Sequence, residues 1–236
     1  MEPNTVSKWL PEQVCEYRSQ ENCIYKQMTI PKQNNGDTYE LEDLNEDQKE
    51  IAQYILQAIR DWINCSRENR AKEFKPIRLT VRGVAGSGKS TLIHTLSTAV
   101  KRMFCCDPVV CINGPTGCCA FSVGGKTLHN GWSIAPFNPS LTPGAETMKN
   151  LFLRYSRLVL LMVDKRSMIC SSLLACLESH AMKTVHMGRN NKEPWRFIAV
   201  VVFFGDDGQL PPVDPGAFYA FEKKPSNMGN EKLNLI

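Results

Sequence analysis

The segment GVAGSGKST, Gly83 to Thr91, constrains the fold of this chain more than any other stretch of its sequence. It fits the pattern G-x-x-x-x-G-K-[ST], and it lies between the β-type run IRLTVR and the apolar, helix-forming run TLIHTLSTAV. The setting makes the pattern specific, because a strand, a glycine-rich loop and a helix in this order turn backbone N–H groups toward one point. The sequence therefore predicts a phosphate-binding loop.

The residue types of this loop fit the phosphates of a nucleotide. Lys89 would reach the β and γ oxygens, the Ser90 hydroxyl would ligate Mg²⁺, and the helix N-terminus would add its positive dipole end. A glycine-rich turn that binds nothing is the alternative, and the strand-loop-helix setting disfavours it. We expect ATP or GTP to bind at the following residues: Gly83, Gly86, Ser87, Gly88, Lys89, Ser90 and Thr91.

Short β-type runs recur along the chain, and each ends in a turn that carries glycine or aspartate. They are IRLTVRG, VVCINGPTG, LVLLMVD and FIAVVVFFGD, and helical or loop segments separate them. This alternation is typical of a parallel sheet with crossover connections, and strands that are apolar throughout indicate that both faces of the sheet are covered. The sequence thus predicts an α/β fold of the P-loop NTPase class.

The chain changes character near residue 44. Residues 1–43 are polar and show no sustained period, so we expect them to be a poorly structured lead-in. Isoleucines and a tryptophan then recur at helical spacing and predict an amphipathic helix over roughly 46–64. Residues 44–220 are expected to form the core domain, and residues 221–236 a tail or the truncated start of a further domain.

Composition limits the class of protein without naming one. The net charge of +4, from 28 basic and 24 acidic residues, is compatible with a nucleic-acid partner but too weak to imply one. The ten cysteines show neither paired C-x-x-C spacing nor a histidine at zinc-finger spacing, so we expect reduced thiols. No secretory region is visible at the N-terminus, and FIAVVVFF, the longest apolar run, is too short for a membrane helix. A soluble protein of a reducing compartment is the expectation.

Three further segments accompany the phosphate loop in a fixed order. They are LNEDQ at 44–48, GPTGCCAF with GGKTLH over 114–129, and FFGDDGQLPPV at 203–213. With them the chain resembles the Pif-type helicases of superfamily one, the RecD-like group that includes the Helitron helicases. The motifs of that family are LN-x-x-Q, PTG-x-AA with G-x-T-[IL]-H, and GD-x-x-QLPPV. The resemblance spans about residues 44–216 and implies the first RecA-like domain of an ATP-dependent DNA helicase, a parallel sheet flanked by helices.

The resemblance implies nucleotide-binding roles for residues outside the loop. Gln48 would hydrogen-bond the adenine, Asp164 would hold Mg²⁺ together with Ser90, and Gln209 would sense the γ-phosphate. Gln48 has an alternative role, because Asn45 and Gln48 fit the two ends of a capping box that closes a helix start. The candidate catalytic residues are Lys89, Asp164 and Gln209.

The resemblance also implies a DNA partner and a cellular setting. Thr116, Thr127 and His129 would lie along the path of single-stranded DNA, although His129 could instead be a structural histidine. Pif-type relatives move 5′ to 3′ and act in DNA repair, recombination and telomere maintenance. A nuclear or mitochondrial location follows from the same analogy.

The second motif departs from the family pattern. The family reads D-E-[IM]-S-M after a strand, whereas this chain reads LMVDKRSM, with Asp164 kept, Lys165 in place of the glutamate and Arg166 in place of the apolar residue. That glutamate orients and deprotonates the attacking water, which a protonated lysine cannot do. A second cation beside the metal is also unfavourable. Because loss of a general base typically costs about 10² to 10⁴ in rate, we expect impaired hydrolysis.

The third motif departs as well, because Asp207 stands at a position that is usually aromatic or otherwise apolar. In a RecA-like sheet the two strand ends are neighbours, so Asp207 could neutralise Lys165 or even serve as a displaced base. Unselected decay of both positions is the alternative.

The resemblance finally implies a second RecA-like domain, which supplies arginine fingers and closes the DNA tunnel. Too few residues follow QLPPV to form one, so we expect this domain to be missing or supplied in trans. Three functions stay open. The chain is the motor domain of a DNA helicase, a module that binds ATP-Mg²⁺ with little or no turnover, or a transposon-derived remnant without helicase activity.

Overall fold

A computed structural model of the chain describes residues 39–67, 74–104, 109–135, 143–185, 195, 198–206 and 208–212. The strands in these ranges are β1 (Ile77–Arg82), β2 (Val110–Gly114), β3 (Lys126–Thr127), β4 (Leu160–Val163) and β5 (Val200–Gly205). The helices are α1 (Glu46–Arg67), α2 (Lys89–Phe104), α3 (Gly117–Ser122), α4 (Leu128–Trp132), α5 (Ala145–Tyr155) and α6 (Ser171–Val185). Short 3₁₀ turns cover Leu41–Asp43 and Arg166–Met168.

The strands form one parallel sheet in the order β1-β5-β4-β2-β3. The central strands β4 and β5 are buried along their whole length, because they are apolar on both faces. In a parallel sheet all carboxyl ends lie along one edge, and ligands of α/β proteins bind there. The predicted α/β fold, a RecA-like parallel sheet flanked by helices, is confirmed. The order also places the ends of β1, β5 and β4 side by side.

Two apolar cores cover the two faces of the sheet, and β4 contributes to both. Its Leu161 and Val163 lie in the core formed with α5 and α6. Its Leu160 and Met162 lie in the core formed with α1 and α2. This division follows from the alternation of side chains along a strand. The phosphate loop is therefore carried between a strand and a helix that are both anchored in one core.

The predicted helix near residue 46 is α1, which runs on to Arg67. Its residues Ile55 and Ile59 are fully buried against the sheet, as the helical spacing of the isoleucines indicates. No helix in the described ranges is both long and apolar enough to span a membrane.

The end of the predicted lead-in contacts α2. The guanidinium of Arg102 donates two hydrogen bonds to the Glu40 carboxylate, each at 2.7 Å, and this pair lowers the pKa of Glu40. Tyr39 stacks on His94 with 4.7 Å between ring centroids. Residues 1–38 of the lead-in and the predicted tail at 221–236 lie outside the described residues.

A fully buried amide, Asn113 near the end of β2, joins α4 to the sheet. Its Oδ1 accepts hydrogen bonds from Trp132 Nε1 at 2.9 Å and from Cys111 Sγ at 3.1 Å. Its Nδ2 donates to the backbone oxygen of Lys126 at 3.0 Å. Its own backbone oxygen accepts from the N–H of Asp164 at 2.9 Å. One side chain thus holds β3 and α4 in place beside the end of β4.

We predict that Asn113→Ala lowers the free energy of unfolding by about 2 to 4 kcal/mol, because the buried indole N–H of Trp132 and the carbonyl of Lys126 lose their partner. Urea unfolding followed by far-UV circular dichroism measures this loss. The exposed Asn130 in the neighbouring helix provides the control, since Asn130→Ala should change stability by no more than about 0.5 kcal/mol. Equal losses in the two variants would contradict the role of Asn113.

Candidate nucleotide-binding site

The phosphate loop joins β1 to α2 and depends on two glycines in left-handed backbone conformations. Gly86 has φ +81° and Gly88 has φ +78°, which side chains with a Cβ adopt only at a cost. A Cβ on Gly88 would also collide with the side-chain amide of Gln48, whereas open space surrounds Gly86. The helix begins at Lys89, directly after the second glycine. The predicted strand-loop-helix arrangement is therefore present.

The side chain of Lys89 folds back over this loop. Its ammonium donates to the backbone oxygens of Gly83 and Val84, both at 2.7 Å, and to Ser87 Oγ at 3.2 Å. Oxygens of the loop thus hold the Lys89 ammonium near the N-terminus of α2. Because the helix dipole favours an anion at this end, both the dipole and the ammonium would attract a phosphate.

Charged groups from β4 and β5 act on Lys89. Burial lowers the pKa of its ammonium, and the positive charge of Lys165 lowers that pKa further. The carboxylates of Asp164 and Asp206 raise the pKa of Lys89 in opposition. The two ammonium groups and two carboxylates are therefore near enough at the carboxyl edge of the sheet to influence one another.

Gln48 performs the capping role that the sequence offered as an alternative. Asn45 Oδ1 accepts from the Gln48 N–H at 2.9 Å, and Gln48 Oε1 accepts from the Asn45 N–H at 3.1 Å. In addition, Gln48 Nε2 donates to the backbone oxygen of Ser87 at 2.9 Å. The side chain thereby ties the start of α1 to the phosphate loop. Its contact with an adenine stays a prediction.

Asp164 and Ser90 are the residues predicted to hold Mg²⁺. Asp164 directly follows β4 and is buried, and burial raises the pKa of its carboxyl group while the charges of Lys165 and Lys89 oppose that rise. Ser90 lies exposed in the first turn of α2. In the described ranges no group of three or more His, Cys, Asp or Glu side chains could hold a metal ion. The hydroxyl and the single carboxylate suit Mg²⁺ only when phosphate oxygens and water complete its coordination.

Lys165 and Gln209 contact each other. The Lys165 backbone is left-handed, with φ +58° and ψ +49°, and it begins the turn Arg166–Met168. Its ammonium donates to Gln209 Oε1 at 2.9 Å. A left-handed conformation costs a residue with a Cβ about 1 kcal/mol or more, and such strain is concentrated at functional sites. Lys165 thus donates its hydrogen bond to the amide that was predicted to sense the γ-phosphate.

Comparison with known proteins assigns the family. The profile of the PIF1-like helicase family matches residues 43–221, well over half of the chain. The chain belongs to the PIF1-like helicases. None of the curated proteins matches it in sequence.

Solved structures of Pif1 helicases share the fold of this PIF1-like domain. Pif1 from Candida albicans is 25% identical, with a TM-score of 0.52 over 72% of this chain and 34% of that one. Pif1 from Bacteroides in complex with ADP-AlF4 is also 25% identical, with a TM-score of 0.50 over the same shares, 72% and 34%. Bacteroides Pif1 in complex with ADP-AlF3 and ssDNA is 24% identical, with a TM-score of 0.49 over 72% and 34%. The chain spans about a third of the length of these helicases.

The third motif of the PIF1-like domain carries an aspartate that sequence analysis did not select. Asp206 Oδ1 accepts from the Gly208 N–H at 3.0 Å, and its backbone oxygen accepts from the Gln209 N–H at 3.1 Å. These bonds form the turn that presents Gln209. The position of Asp206 at the end of a strand next to β1 was the available signal. Asp207 lies outside the described residues, so its pairing with Lys165 stays a prediction.

The second replacement in the motif, Arg166, packs against the backbone of β5. Arg166 is 3% exposed, and a Cβ added to Gly205 would lie 2.7 Å from Arg166 Cγ. Only a glycine at the end of β5 leaves room for this stem. The arginine therefore fills the buried place that the family gives to an apolar side chain.

The predicted DNA-path threonines lie at the carboxyl edge of β2 and β3. Gly114 pairs with Thr127 in the sheet, and Thr116 follows Gly114 by two residues. Each threonine caps a short helix, because its hydroxyl accepts from the backbone N–H three residues further along, at 3.3 Å for Thr116 and 3.1 Å for Thr127. His129 is half-buried in α4. DNA contact by these three residues stays a prediction.

The two left-handed glycines make a matched test of the loop. Gly86→Ala and Gly88→Ala should each cost about 1 to 2 kcal/mol of unfolding free energy from backbone strain. Gly88→Ala should cost about 1 kcal/mol more, because the new methyl group displaces Gln48 from Ser87. In a Gln48→Ala background this excess should disappear, as measured by urea unfolding. An excess that survives in that background would show that Gln48 is not its source.

Proposed function

We propose that this PIF1-like domain is the ATP-binding motor domain of a DNA helicase in which hydrolysis is impaired. The observation that carries the proposal is the 2.9 Å hydrogen bond from the Lys165 ammonium to Gln209. Lys165 stands where the family pattern has the glutamate that would serve as the base, and the bond brings its cation to the amide that we propose senses the γ-phosphate. Membership of the helicase family and the intact phosphate loop support nucleotide binding itself.

Different residues of the chain would bind different parts of the nucleotide. Lys89 would move from the carbonyls of Gly83 and Val84 to the β and γ oxygens, which offer it stronger, charge-assisted acceptors. The Gly83–Thr91 loop and the dipole of α2 would bind the remaining phosphate charge. Gln48, which is bonded to the loop from the start of α1, would contact the adenine.

Ser90 and Asp164 would hold Mg²⁺ together with the phosphates. When bound, the metal neutralises charge on the β- and γ-phosphate oxygens. Lys165 beside Asp164 weakens this site, because it brings a second cation to the place where the metal would lie. We therefore propose that Lys165 lowers turnover in two ways, by replacing the base and by weakening the metal site.

Hydrolysis needs a group that takes a proton from the attacking water. A protonated Lys165 has no lone pair for this purpose, whether its ammonium contacts Gln209, as in this structure, or a phosphate oxygen. We propose Lys89, Asp164 and Gln209 as the catalytic residues that remain. A rate lower by about 10² to 10⁴ is the expected consequence of the missing base.

The bond between Lys165 and Gln209 also favours a second candidate function, a module that binds ATP and single-stranded DNA without turnover. In that role the domain would act through its bound state, and Thr116, Thr127 and His129 would provide the DNA path. The bond holds the ammonium inside the site, where a cation attracts phosphates but takes no proton from water, and so suits a site that binds without reacting.

The whole-helicase activity requires more than one RecA-like domain. A second such domain, continuing the chain or supplied in trans, would provide arginine fingers and close the DNA tunnel. In that assembly we propose 5′ to 3′ movement and roles in DNA repair, recombination and telomere maintenance, in the nucleus or the mitochondrion. The basis for these roles is the resemblance to Pif-type helicases.

We predict that the wild-type chain binds ATP but releases little phosphate, and that Lys165→Glu raises release stimulated by single-stranded DNA by at least about tenfold, because it restores the base. Lys89→Ala should abolish binding in either background. Phosphate release and equilibrium ATP binding are the two measurements.

Lys149→Glu is the matched control, because it makes the same charge change on the exposed face of α5 and should leave both measurements unchanged. Fast phosphate release by the wild-type chain would contradict impaired hydrolysis. Absence of ATP binding would contradict the proposed function and favour the remnant.

A further inference from the structure

Lys165 stands where the family pattern has a glutamate. The net charge of the nucleotide site is therefore two units more positive than it would be with that glutamate. The described groups that act on Lys89 are the ammonium of Lys165 and the carboxylates of Asp164 and Asp206. Two cations and two carboxylates therefore balance, where the family pattern would leave one cation among three carboxylates. A balanced site repels the phosphates of a nucleotide less before any metal ion is bound.

The geometry places both ammonium groups at the same edge of the sheet. Lys89 begins α2 directly after the phosphate loop that follows β1, and Lys165 follows the end of β4 by two residues. The charge of each acts on Asp164, and the charge of Lys165 acts on Lys89. Both cations therefore lie near Asp164 at this edge, where the phosphates of a bound nucleotide would lie.

A hydrogen bond to Gln209 holds the ammonium group of Lys165 in place. An ammonium group has three donors, and Gln209 Oε1 accepts one of them at 2.9 Å. Lys165 is half-buried, so its charge is screened less than that of a surface lysine. A phosphate oxygen is a stronger acceptor than a neutral amide, and it would draw the ammonium away from Gln209.

We infer that Lys165 is a second phosphate-binding lysine, which supplies part of the charge neutralisation that Mg²⁺ supplies elsewhere in the family, so that the site binds nucleoside triphosphates without a divalent metal. This inference rests on the proposed function, because it assumes that the phosphate loop binds ATP. The position of Lys165 also predicts a preference between ATP and ADP. Because Lys165 contacts Gln209, the residue proposed to sense the γ-phosphate, it would strengthen the binding of ATP more than that of ADP.

Calorimetric titration with ATP, in excess Mg²⁺ and in excess EDTA, tests the inference. The dissociation constant of the wild-type chain should change by less than about threefold between the two media, whereas that of Lys165→Glu should rise at least about tenfold in EDTA. Lys149→Glu should behave like the wild type. Thermal unfolding by circular dichroism checks that each variant is folded.

Lys165→Gln provides a second variant that removes the charge and keeps a polar side chain. It should weaken ATP binding in EDTA by about tenfold and leave ADP binding within about twofold of the wild type. The inference is overturned if wild-type binding requires Mg²⁺ as strongly as that of Lys165→Glu, and the proposed function survives that result. Absence of ATP binding by the wild type in both media overturns the inference and the proposed function together.

Discussion

The parallel pairing of β5 with β1 on one side and with β4 on the other fixes the position of each charged group in the site. Arg82 at the end of β1 lies opposite Gly205, and Val163 at the end of β4 lies opposite Phe203. The phosphate loop, the third motif and the second motif therefore leave the sheet at one edge. Because these three motifs meet at that edge, a charged side chain at one position acts on Lys89, Asp164 and Gln209 together.

Lys165 shows the effect of that arrangement. At an isolated surface position a change from glutamate to lysine has little consequence, since solvent and salt screen the charge. At the end of β4 the charge of Lys165 lowers the pKa of Lys89, and its ammonium donates to the amide of Gln209. We propose that this lysine favours binding and disfavours turnover, because phosphates are attracted by a cation whereas the attacking water needs a base.

Sequence patterns predicted the parts of the molecule that depend on local order. Apolar runs predicted every strand but the two-residue β3, helical spacing predicted α1, and the asparagine and glutamine at its start offered the capping box as the alternative to adenine contact. Contacts between distant segments left no local signal. The bond of Lys165 to Gln209 depends on a left-handed backbone at Lys165, and the bond of Gln48 to Ser87 depends on how α1 packs. The polar network of Asn113 is of the same kind, since β2, β3 and α4 meet only in the folded chain.

A crystal structure of the wild-type chain with ATP, grown in EDTA, tests the central claim most directly, because it reports the position of one ammonium group. The account predicts that Lys165 Nζ has left Gln209 and lies within about 2.7 to 3.2 Å of a terminal phosphate oxygen, with the nucleotide intact. The account would be contradicted if Lys165 stayed on Gln209 while Lys89 alone contacted the phosphates, or if the bound nucleotide were ADP.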